Sequence, residues 1–71
     1  MPTNYNNIRA GSRLVWNDRM GPTYRRHTWQ VTIVADHACV IYPVSADGTR
    51  LLTNRRIASR ETIERFGTIV A

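Results

Sequence analysis

Apolar and polar positions alternate most regularly between Thr28 and Thr53, TWQVTIVADHACVIYPVSADGTRLLT, and this pattern predicts two consecutive β-hairpins. Asp47-Gly48 is a strong two-residue turn signal, because both residues tolerate the positive φ that such turns require. A two-residue loop there pairs Ala46 with Thr49, Val44 with Leu51 and Tyr42 with Thr53. The same loop length at Asp36-His37 pairs Ala35 with Ala38, Ile33 with Val40, Val31 with Tyr42 and Trp29 with Val44. Both registers put Trp29, Val31, Ile33, Val40, Tyr42, Val44 and Leu51 on a single apolar face. The opposite face mixes Gln30, Thr32 and Asn54 with Val34, Cys39, Ile41, Pro43 and Leu52, so it is expected to be partly covered. A longer loop at Asp36-His37 would shift the register.

Before the hairpins, Ser12 to Trp16 reads as a first strand, with Leu14 and Trp16 on one face and Arg13 and Val15 on the other. A long loop follows from Asn17 to about Arg26, with Gly21-Pro22 as its firmest breaker. After the hairpins, Ile57 to Gly67 reads as the region of a short helix. Ser59 is its N-cap, Glu61 complements the dipole in the first turn, and Gly67 stands at the C-terminus. Glu61 with Arg65 and Arg60 with Glu64 form i, i+4 pairs, so the helix neutralises its own charge. Thr68 to Ala71 is expected to form a last strand beside the first. Residues 1–9 read as a flexible polar arm, in which Tyr5 either stacks on a base or packs at the domain edge, and residues 10–71 as one small domain.

Composition narrows the class. With 71 residues the chain is near the lower limit for a core without staples, and its 42% hydrophobic content is ordinary for a globular protein. Its single cysteine, Cys39, excludes an intrachain disulfide, and no apolar run is long enough to cross a bilayer. A soluble, cytoplasmic protein is the expectation. The net charge is +5, and all ten cationic residues are arginine. Arginine's planar donor fork suits phosphates and carboxylates, whereas a G·C-rich genome would account for the missing lysine but not for the net charge.

Setting aside the neutralised helix leaves Arg9, Arg13, Arg19, Arg25, Arg26, Arg50, Arg55 and Arg56 against Asp18, Asp36 and Asp47. The register gathers Arg25, Arg26 and Arg50 near the Asp47-Gly48 end and sets Arg55 and Arg56 towards the other. Tyr24, beside Arg25, Arg26 and His27, either stacks on a base or caps the core. The expected nucleic-acid-binding set is therefore Tyr24, Arg25, Arg26, Arg50, Arg55 and Arg56, meeting DNA or RNA. The alternative is a protein-interaction module, an inhibitor or adaptor docking on an acidic partner surface, supported by Ile41, Pro43 and Leu52 on the mixed face. A homodimer burying that face is compatible with either.

Catalytic chemistry is not indicated. His27, His37 and Cys39 lack the spacing of a zinc site, the carboxylates are not paired for acid–base work, and the glycines form no phosphate loop. No enzyme activity, metal or cofactor is expected. In element order the chain resembles the SH3-like small barrels, including Tudor and KOW-type domains: five short strands, a long loop after the first, two tight hairpins, and a short helix before the last strand. The resemblance covers Ala10 to Ala71 and implies a mainly β, five-stranded SH3-like barrel that binds nucleic acid, peptides or ribosomal components. The chain is also similar to small β-rich proteins of phage and plasmid genomes.

Overall fold

The core is laid down by alternation, and a single extra residue decides which alternate residues enter it. The computed structural model describes residues 5–70. It contains five antiparallel strands: β1 (Arg13–Trp16), β2 (Thr28–Val34), β3 (Ala38–Val44), β4 (Arg56–Ser59) and β5 (Gly67–Ile69). They form one sheet in the order β4-β3-β2-β1-β5, which is not closed on itself. A one-turn helix α1 (Pro22–Arg25) interrupts the loop after β1, and α2 (Arg60–Phe66) links the two edge strands. Gly21-Pro22 therefore starts a helical turn rather than only breaking the chain, with Pro22 at a first-turn position where its missing N–H is not needed.

The first hairpin keeps its two-residue loop, with the Ala35 N–H donating to the Ala38 carbonyl at 2.9 Å and Ile33 facing Val40. Between Ile33 and Val31, however, the register slips by one: Val31 faces Ile41, Trp29 faces Pro43 and Gln30 faces Tyr42. Thr32 is the extra residue of this β-bulge, and its hydroxyl donates to the Val40 carbonyl. Because strand side chains alternate with period two, a one-residue slip exchanges the faces of everything beyond it. The expected apolar face is thus divided. Trp29 and Val31 are joined in the core by Cys39, Ile41 and Pro43, whereas Val40 and Tyr42 stand on the outer face and Ile33 is 62% exposed.

The second hairpin also differs from the expected one. Ser45 and Thr49 close it, with the Ser45 N–H donating to the Thr49 carbonyl, and Gly48 takes the positive φ of +90°. An isolated bridge pairs Val44 with Arg50, one position short of the expected Val44–Leu51 pair. The chain then leaves the sheet through a 3-10 turn at Leu52–Asn54. The strand that pairs with β3 is β4, where Cys39 faces Ala58 and Val40 faces Ile57. So Tyr42 and Thr53 do not pair, and Ile57 and Ala58 belong to a strand. Ser59 ends that strand in extended conformation and caps α2, its hydroxyl oxygen accepting from the Thr62 N–H at 3.2 Å.

β5 lies beside β1 as expected, Leu14 facing Ile69 and Trp16 facing Gly67. Gly67 has no room for a side chain: a Cβ would meet the Ile63 carbonyl and Leu14 Cδ1 at 2.9 Å each. The start of the described chain is also core. Tyr5 and Ile8 are 4% and 2% exposed, in and just after a 3-10 turn at Tyr5–Asn7, where a loose arm was expected. The Tyr5 hydroxyl donates to the Ala35 carbonyl at 2.8 Å, and its backbone N–H donates to Glu64 on α2. Met1 to Asn4, the rest of the expected arm, and Ala71 lie outside the described residues.

Candidate functional site

With Leu14, Trp16, Trp29, Val31, Cys39 and Ile41 turned inward, the outer face of the sheet carries the polar and cationic partners of the same strands. Arg13, Gln30 and Tyr42 stand in register across β1, β2 and β3. Arg50, bridged to Val44 on the same face, sets its guanidinium 5.9 Å from the centre of the Tyr42 ring. Two grooves flank this row. One is lined by Arg13, Arg26, His27 and Thr28 with the Ser45–Gly48 turn. The other lies between Gly11, Gln30, Thr32 and Arg50. A second row on this face is apolar: Ile33, Val40 and Ile57 are in register, and Ile57 is 73% exposed.

The charge on this face is not neutralised by the protein. Among the described residues both ion pairs lie on α2, Arg60 with Glu64 at 3.8 Å and Arg65 with Glu61 at 3.0 Å. Both are well exposed, so each contributes little to stability. Arg9, Arg13, Arg19, Arg25, Arg26, Arg50, Arg55 and Arg56 have no carboxylate at ion-pair distance among the described residues. The one acid in the first groove, Asp47, is committed to the turn, accepting from the Ser45 hydroxyl and from the Thr49 N–H. The Ser45 hydroxyl and then the Thr49 N–H hold its carboxyl below the usual aspartate value, so it is ionised at neutral pH. Two arginines against one carboxylate leave the groove cationic.

The expected site residues are distributed unevenly. Arg26 lines the first groove and Arg50 borders the second. Arg25 is exposed in the last turn of α1, while Arg55 and Arg56 are exposed at the start of β4 and line neither groove. Tyr24 stacks on Trp29, ring centres 5.6 Å apart at 26°, and meets Trp16 edge-on at 5.8 Å. Its carbonyl accepts the Trp29 indole N–H at 2.9 Å. That ring caps the core and fixes the backbone from which Arg25 and Arg26 project. Arg13 and Tyr42 complete the outer row, and their signal in the sequence was alternation, once the bulge is included.

Among the described residues no helix is long and apolar enough to cross a membrane, and no three His, Cys, Asp or Glu side chains gather as metal ligands would. No family model matches this chain, and comparison with curated proteins and with solved structures finds no match either.

Proposed function

We propose that this chain is a small SH3-like domain that binds nucleic acid through arginine contacts to phosphates. The observation that carries the reading is the set of eight arginines without a carboxylate partner among the described residues, two of which, Arg13 and Arg26, share one groove. Arg9 and Arg56 each donate from a guanidinium nitrogen to backbone carbonyls, but a guanidinium with no carboxylate on it retains donors for phosphate oxygens, and binding releases condensed counterions. The element order supports the architecture: a long loop after β1, two hairpin turns, and α2 directly before β5. The test is fluorescence anisotropy of labelled oligonucleotides at several salt concentrations. Log affinity falls linearly with log salt, and Arg13→Ala and Arg26→Ala each flatten the slope by about one unit while weakening all sequences alike. A response independent of salt refutes the reading.

The exposed row of Ile33, Val40 and Ile57, with Leu52 also 65% exposed, favours a second reading as a module that docks on an acidic protein surface. Of the three residues that first suggested it, Ile41 and Pro43 are buried and only Leu52 remains available. A stoichiometric protein partner that survives nuclease treatment in pull-downs selects this reading over the first.

A further inference from the structure

The six aromatic side chains are not in equivalent positions. Tyr5, Trp16 and Trp29 are buried, and Tyr24 and Phe66 pack against the core they form. Tyr42 alone, among the described residues, is a half-buried aromatic on the outer face of the sheet. It has Gln30 beside it in register, Arg13 one strand further on, and Arg50 over its ring. We propose that the outer face of the sheet binds single-stranded nucleic acid, with an unpaired base stacked on Tyr42, its edge met by Gln30, and its flanking phosphates held by Arg13 and Arg50. The proposal rests on the nucleic-acid reading above and assigns it a strand class and a platform.

Three features support a single strand over a duplex. In a duplex both faces of every base are already stacked, so a ring on a sheet offers it nothing, whereas an unpaired base gains a π-face partner. A side-chain amide such as that of Gln30 has two donors and an acceptor oxygen, enough to bond a base edge that pairing leaves free. Neighbouring strands are about 4.8 Å apart, so the row from Arg13 to Tyr42 spans roughly 10 Å, a length on which a nucleotide can lie with phosphate and base on different side chains. The Arg50 contact, at 5.9 Å, is at the outer limit of a cation–π interaction. A bound strand exchanges it for a stacked base and a charge-assisted bond to phosphate.

The decisive experiment measures anisotropy of labelled oligo-dT and oligo-U, a duplex of equal length, and an abasic strand that keeps the phosphates and lacks the bases. Wild-type protein is expected to prefer the single strands to both the duplex and the abasic strand. Tyr42→Leu should weaken single-strand binding about tenfold, Tyr42→Phe should retain it, and neither should change the affinity for the abasic strand. The buried Trp16 and Trp29 report by fluorescence that each variant is folded. If Tyr42→Leu binds single strands like wild type while Arg13→Ala still weakens them, the platform is refuted and phosphate binding stands. Equal affinity for duplex and single strand refutes the platform as well. No binding of any probe by wild type refutes both.

Discussion

Two tryptophans on adjacent strands show how local bonding separates residues of equal burial. Trp29 and Trp16 are 1% and 6% exposed, yet only the Trp29 indole N–H has an acceptor, the Tyr24 carbonyl. The Trp16 indole N–H is buried and finds none among the described residues, its edge-on neighbour being the Tyr24 ring. Replacing Trp29 by Phe removes a hydrogen bond and strands a carbonyl, while replacing Trp16 by Phe removes a donor that had no partner. Trp29→Phe is therefore expected to cost about 1 kcal/mol more than Trp16→Phe in urea unfolding followed by circular dichroism. Equal losses would mean that the Trp16 N–H has a partner after all. Alternation set Trp29 on an apolar sheet face and Trp16 on the face of Leu14, but it did not decide whether both are core. That Tyr5 is core was not legible, because its segment is polar and its one apolar neighbour at helix spacing, Ile8, makes too short a pattern to mark an element.

At the scale of elements, the bulge at Thr32 decides which side chains β2 and β3 send inward. The alternating pattern located both strands and the Asp36-His37 loop, and the caps Ser59 and Gly67 located α2. The pattern could not show the bulge, since Thr32 is an ordinary strand residue and carries no turn chemistry. Nor could it place β4, because Ile57 and Ala58 suit a helix entry as well as a strand. The consequence is measurable with a pair of substitutions. Ile41→Ala, at a fully buried position, is expected to cost about 2–5 kcal/mol, and Ile33→Ala well under 1 kcal/mol. Urea midpoints read from tryptophan emission test this; the reverse order would restore the unbulged register. The candidate site depended on the same event. Counting charges was enough to find unpaired arginines, but placing Arg13, Gln30 and Tyr42 in one row needed the true register.

At the scale of the whole molecule, the sheet and α2 are expected to open together. Cys39 lies on β3, between β2 and β4, and is 2% exposed. Burial pushes its thiol up to about 11, so the reactive thiolate is almost absent from the folded protein at neutral pH. A thiol reagent at pH 8 is expected to label Cys39 only as fast as the molecule unfolds, with urea dependence matching the global transition; rapid labelling without denaturant would reveal a local opening of β4. Cooperation on this scale follows from how the two ends of the described chain are joined. Tyr5 is fixed to Glu64, 59 residues away, and β1 takes β5 as its neighbour. On a ribosome, the first described core residue, Tyr5, therefore waits for a partner made 59 residues later. Until Ile69 has cleared the exit tunnel, β1 lacks one of its two neighbours, and until Glu64 has done so Tyr5 has no helix to close upon.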